Sequence, residues 1–209
     1  TLVEDVGGDF LDGNFGDGNG TLYQPEPPAG ELRWLGDAFA DYPGLEVERH
    51  EELGHDAFVA LVTTLDAGDA SAFPAVLDVE RTLTYLAVSG LLANLDSYLG
   101  TAHNYYLYDA AGVFTVIPWD MNEAFGNFAC GCDRDGIIAL PIEEPTCAPA
   151  SARPLVAKLL ADPDLAVRYR EIVGELLDGP CAEATMQARV DALADLIRPT
   201  VAADTTKFF

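Results

Sequence analysis

Between residues 78 and 126 the spacing of the apolar residues changes, and this change limits the possible folds more than any other feature. Leu83, Leu86, Ala87, Gly90, Leu91 and Asn94 recur at steps of three and four, which places side chains on one face of an α-helix. Asp78 stands where a side-chain oxygen can cap the first free N–H groups of that helix. The segment is apolar on most sides, so a buried central helix is expected. A break follows at Asp96-Ser97-Tyr98-Leu99-Gly100-Thr101-Ala102-His103, and then two runs, Asn104 to Asp109 and Val113 to Pro118, have strand character. Ala110-Ala111-Gly112 between them is a hairpin-sized connection. A buried helix leading into a short antiparallel hairpin points to an α+β architecture.

The flanking sequence reads around this centre. Residues 7 to 30 carry six glycines from Gly7 to Gly20 and then Pro25, Pro27 and Pro28, so they read as loop with a short strand at Thr21 to Tyr23. The Asp12 to Gly20 cluster resembles a calcium loop in composition, but counting from Asp12 puts Gly16, Asp17 and Tyr23 at positions 5, 6 and 12, where an EF-hand needs a ligand, Gly and Glu. Turn chemistry accounts for it better. Residues 31 to 50 read as short extended and turn pieces ending in a strand at Leu45 to Arg49. From Asp56, the spacing of Phe58, Leu61, Val62 and Leu65 predicts an amphipathic helix closed by Gly68. Past a Gly- and Cys-rich loop at 126 to 150 the chain turns helical, with helices expected at Pro154 to Leu160, Leu165 to Leu177 and Glu183 to Ile197, and breaks at Gly179-Pro180 and Pro199. The simplest count is one domain over 1–209.

Charge and cysteine content narrow the function classes. With 35 acidic and 11 basic residues the formal charge is -24, which lacks the basic footprint that nucleic-acid binding needs. The acids are spread along the chain and read as a solvated surface. No apolar run is long enough to span a membrane. Thr1 opens directly in a polar, Gly-rich stretch without a leader or initiator Met, so the chain reads as a piece of something longer. Cys130 and Cys132 are too close to bond easily to each other, so outward pairing with Cys147 and Cys181 is expected, in an extracytoplasmic or secreted protein. A zinc site is the rival reading, against which the CxC spacing argues.

The chemistry concentrates around the hairpin. Phosphoryl transfer asks one carboxylate to orient the attacking hydroxyl and another to hold a divalent ion on the phosphates. Protein kinases place a catalytic-loop Asp and Asn before a small hairpin and a metal-binding Asp just after it. Asp96, Asn104 and Asp120 stand in those three places, although the spacing here is Asp-x7-Asn where kinases have Asp-x4-Asn. Singly, each also reads as a turn, capping or strand-end residue.

Tyr85 to Tyr98, containing N-x-D, His103 to Tyr108 (HNYYLY) and Val113 to Gly126 (IPWDxxxxFG), taken in order, closely resemble the signature of the CotH (spore coat protein H) kinase family. Leu2-Val3-Glu4-Asp5, Phe10-Leu11, Gly20 to Tyr23 and Leu32 to Asp37 are similar to that family's upstream segments, so the resemblance covers nearly the whole chain. It implies a distant protein-kinase-like fold, ATP with Mg2+ or Mn2+, and phosphorylation of Ser or Thr on spore-coat-like or extracytoplasmic proteins. Carried over by position, Asp96 is the implied catalytic base and Asp120 the implied metal ligand, with Asn104 and then Asn122 as further metal candidates. Trp119 is a candidate for lining the nucleotide site and His103 for polarising a phosphate; packing and an internal hydrogen bond are their structural alternatives. The resemblance also implies strands and a phosphate-contacting lysine upstream of Thr1. Where the family's LYK and ELK-like pieces carry lysine, this chain has Gln24 and Glu48. The alternative reading is a non-catalytic CotH-like coat or surface protein.

Overall fold

Two pairs of strands far apart in sequence meet in one sheet. The computed structural model describes residues 4–16, 18–147 and 149–206, so Asp17 of the calcium-like frame and the lysine at 207 lie outside it. Strands β1 (Thr21–Pro25), β2 (Leu45–Arg49), β3 (Tyr105–Ala110) and β4 (Val113–Pro118) are antiparallel in the order β2-β1-β3-β4. The expected hairpin is present with Tyr105 opposite Pro118 and Ala110 opposite Val113, but it is half of a four-stranded sheet. Its loop is Ala111-Gly112, with both residues at positive φ (56° and 90°), the combination whose twist suits a two-residue hairpin. Mixed helix and antiparallel sheet is the α+β architecture expected.

The two faces of the sheet are buried by different partners, as the strand period of two requires. Tyr23, Leu107, Phe114 and Val116 join a large core with α2 (Asp56–Ala67), α3 (Val79–Leu91), α5 (Pro154–Leu159) and α6 (Pro163–Asp178). Leu22, Tyr108 and Ile117 face the other way and pack on Val6 and Leu11. Leu11 belongs to a helix, α1 (Gly8–Phe15), where the glycines and turn residues predict loop. Helical Gly13 costs about 1 kcal/mol relative to Ala, while burying Leu11 completely stabilises by about 2 kcal/mol, so tertiary packing overrides propensity.

Helix ends follow the sequence closely where a cap exists. Asp78 accepts from the Arg81 N–H at 3.0 Å, and Gly68 closes α2 at φ 71°. The central helix stops at Leu91, however, because Ala93 turns to φ 44°; Asn94 lies in the following loop, 2% exposed. The 126–150 loop contains a short helix, α4 (Arg134–Ile138), capped by the Asp133 side chain. Helix α7 (Glu183–Ala203) passes through Pro199 instead of breaking there. It has no buried residue, so water can take the carbonyl that the missing proline N–H leaves unpaired. Cys130 pairs with Cys147, whereas Cys132 and Cys181 are free thiols, so only one of the two expected bridges forms. Among the described residues no helix is long and apolar enough to cross a membrane.

Candidate active site

The loop after α3 is shaped by its own backbone. Ser97 caps it: its carbonyl accepts from the N–H groups of Gly100, Thr101 and Ala102 at 3.2, 3.1 and 2.9 Å, and its hydroxyl donates to the Asn94 carbonyl at 2.6 Å. Gly100 is required here, since a Cβ would lie 2.0 Å from the Leu95 carbonyl oxygen and 2.9 Å from Cys147 Sγ. The buried Arg153 guanidinium donates to the Gly100 carbonyl and lies 3.7 Å from Glu31. Beneath the loop, burial pushes the Tyr85 hydroxyl up to about 12 and raises those of Tyr98 and Tyr105, so all three remain neutral hydrogen-bonding groups. Tyr98 Oη accepts from the Leu155 N–H at 2.9 Å, and Tyr105 Oη donates to the Gly30 carbonyl at 2.7 Å.

This scaffold brings three of the expected residues together. Asp96 Oδ1 lies 2.8 Å from His103 Nε2 and accepts from Thr101 Oγ1 at 3.1 Å. Asn104 Nδ2 donates to Asp96 Oδ2 at 3.0 Å and to the Asp96 carbonyl at 2.9 Å. The x7 spacing is therefore no obstacle, because the loop turns back through Ala102 (φ 61°) and Asn104 (φ 57°) to close on Asp96. With its amide nitrogen committed to Asp96, Asn104 keeps its Oδ1 as an acceptor.

Asp120 stands across the hairpin mouth. The Trp119 N–H donates to the Asn104 carbonyl at 3.2 Å, which extends the β3–β4 pairing by one residue and sets Asp120 next in line. Asp120 is exposed at φ 44°, and among the described residues its carboxylate takes no hydrogen bond. The segment after it returns to the end of α3, where the Phe125 and Gly126 N–H groups donate to the Leu92 and Ala93 carbonyls at 2.6 and 3.2 Å. Of nine described non-glycine residues at positive φ, five (Ala93, Ala102, Asn104, Asp120 and Phe125) fall in this region. Each costs of order 1 kcal/mol, and such backbone clusters where side chains must be aimed.

The remaining expected residues are less central. Asn122 is exposed in the single turn Met121–Glu123. Trp119 packs edge-to-face on Tyr106 at 5.4 Å, within the smaller apolar cluster. Gln24 pairs opposite Glu46 in the sheet, Glu48 is exposed on β2, and Lys158 Nζ donates to the Asp66 carbonyl at 2.8 Å. Sequence reading missed Thr101, Glu26 and Arg153. Thr101 was findable as a hydroxyl inside the loop, whereas the other two reach the site from distant parts of the chain. A cavity of about 520 Å³ lies at the far end of the hairpin around His55 and Asp109, while another of about 340 Å³ between α1, α3 and β4 reaches Met121, next to Asp120.

The donor set suits a hard divalent ion carried by phosphates. Mg2+ uses one or two carboxylates and completes its shell with phosphate and water oxygens. Asp120, whose carboxylate takes no hydrogen bond among the described residues, follows Trp119, which is bonded to the Asn104 backbone, and one such carboxylate with an amide oxygen fits that requirement; no group of three or more acidic, His or Cys side chains among the described residues forms a self-sufficient cage.

Fold and site together define a mixed α+β protein whose central helix and hairpin present two carboxylates, one held by its own loop and one free. The chain belongs to the CotH kinase family, whose model, described as CotH kinase protein, matches residues 1–208. A stretch of 133 residues, 63% of this chain, is 27% identical to inner spore coat protein H of Bacillus subtilis (strain 168) and covers 34% of that protein. The chain thus spans about a third of that curated relative.

Proposed function

We propose that the chain carries the hydroxyl-orienting and metal-holding part of a protein phosphotransferase site, with ATP as phosphoryl donor and Ser or Thr of a coat-associated or extracytoplasmic protein as acceptor. The observation that carries this reading is the Asp96 carboxylate. Its Oδ1 takes two donors and its Oδ2 one, so the open acceptor position is on Oδ2. The substrate hydroxyl oxygen attacks the γ-phosphorus, the bond from that phosphorus to the ADP oxygen breaks, and the hydroxyl proton passes to Asp96 Oδ2. Asp120, with the amide oxygens of Asn104 and Asn122, would hold Mg2+ or Mn2+, and the ion would neutralise charge developing on the phosphates. That contribution matters here, since Gln24 and Glu48 offer no cation and Lys158 is engaged between helices. The relative's name, inner spore coat protein H, supports the coat assignment.

The test is nucleotide-dependent labelling of a Ser/Thr protein substrate by the full-length protein with Mg2+ or Mn2+. Asp96→Asn and Asp120→Ala are each expected to lower kcat by at least about 10²-fold, the scale of lost general-base or electrostatic catalysis. Unchanged rates in both would remove the assignment. The missing lysines favour a second reading, a non-catalytic coat protein that kept the fold. For that reading, millimolar ATP with Mg2+ should leave the melting temperature unmoved, whereas a nucleotide site must raise it.

A further inference from the structure

Glu26 lies at the end of β1, seventy residues before Asp96 in the chain, and reaches the same histidine. His103 presents Nε2 to Asp96 Oδ1 at 2.8 Å, and its Nδ1 lies 3.4 Å from Glu26 Oε2, an ion-pair distance when both ring nitrogens carry a proton. The three side chains are part-buried, at 39% exposure for Glu26, 31% for His103 and 19% for Asp96, so the line runs inward from solvent to the carboxylate. Ring orientation in such a carboxylate–His pair is set by the group on the far nitrogen.

The backbone supports the geometry independently. The Glu26 N–H donates to the Gly44 carbonyl at 2.7 Å, and the Glu26 carbonyl accepts from the Gly30 N–H at 2.8 Å. Gly30 packs directly on the loop that carries His103, since a Cβ on it would lie 2.0 Å from the Ala102 carbonyl oxygen. Tyr105, on the other side of His103, donates its hydroxyl to Gly30. The 26–30 turn and the 102–105 segment therefore form one packed unit, with Glu26 and His103 facing each other across it.

We propose that Glu26 is a positioning residue for Asp96, acting through His103: it holds the imidazole in the rotamer that brings Nε2 to Asp96 Oδ1 and leaves Oδ2 open for the substrate hydroxyl. The inference rests on the proposed role of Asp96. It gives His103 a task toward the carboxylate instead of toward the nucleotide.

Two measurements test it. The first needs no activity. In ¹⁵N-histidine-labelled protein, the His103 imidazole N–H signal, assigned by its loss in His103→Gln among three histidines, should be protected from solvent exchange in the wild type. Glu26→Ala should abolish that protection, and Glu26→Gln, whose amide oxygen still accepts, should keep it. A wild-type signal in a folded Glu26→Ala variant overturns the proposal; if that variant does not fold, loss of the signal in folded Glu26→Gln does the same. The second is kinetic. Glu26→Ala should lower kcat about tenfold with KM within about twofold, and Glu26→Gln should recover most of the loss. Combining Glu26→Ala with His103→Ala should cost no more than His103→Ala alone, because residues acting in series are non-additive. Losses that simply multiply would place Glu26 on another route and overturn the relay. If the wild type labels no substrate but the histidine signal responds as stated, the phosphotransferase reading fails while the contact stands.

Discussion

Gly30→Ala probes the packing that brings β1 to the acid loop. A Cβ at this position would lie 2.0 Å from the Ala102 carbonyl oxygen, against an ordinary C···O contact of about 3.3 Å, so the two backbones must separate by about 1 Å. Both atoms belong to backbone, and no side-chain rotamer can relieve the clash. Overpacking of this kind costs about 1–3 kcal/mol, and stretching the 2.7 Å Tyr105–Gly30 hydrogen bond adds about 1 kcal/mol. A loss of about 3 kcal/mol is expected from urea denaturation followed by circular dichroism. The same displacement reaches His103 and Asn104, which hold Asp96, and a misplacement of about 1 Å costs about 10²-fold in rate. Gly13→Ala serves as the control: it lies inside α1 with open space around its Cβ and should stabilise by about 1 kcal/mol. Gly30→Ala within about 0.5 kcal/mol of wild type, the scatter of ordinary surface substitutions, would refute the close approach.

Reduction of the Cys130–Cys147 bridge, which closes a separation of 17 residues, should lower stability by about 3 kcal/mol, read as the shift in urea midpoint with and without reductant. Thiol mapping of the native protein should label Cys132 and Cys181 and spare the other two. Burial raises the Asp109 carboxyl above its usual range, even though it accepts from the Gly112 N–H at 2.6 Å. A raised acid disfavours the fold once the unfolded carboxylate ionises: the penalty begins as pH rises through about 3.9 and is complete above the folded value. Asp109→Asn should therefore be the more stable protein at neutral pH, with the difference vanishing in melts run below about pH 3.5.

Local chemistry made much of this protein legible in its sequence. The period of three and four around Phe58 and Leu83, the Asp78 cap and the Gly68 stop define both ends of α2 and the start of α3, because each depends on neighbours within one or two turns, whereas α3 ends at Leu91, short of Asn94. The hairpin is equally local, and so is the order acid, hairpin, acid that placed Asp96, Asn104 and Asp120. What the sequence could not show is what lies across space. Only tertiary structure sets β1 beside β3, turns the glycine-rich stretch at 8–15 into a helix by burying Leu11, and leaves Cys132 unpaired. It alone brings Glu26 to His103 and Arg153 to Gly100. Side-chain period reports which face of an element is apolar, but not which distant segment will cover it. The acids around the hairpin were therefore readable from their neighbours, whereas the contacts that aim them, such as Glu26 to His103 and Gly30 to Tyr105, depend on chain segments more than seventy residues away.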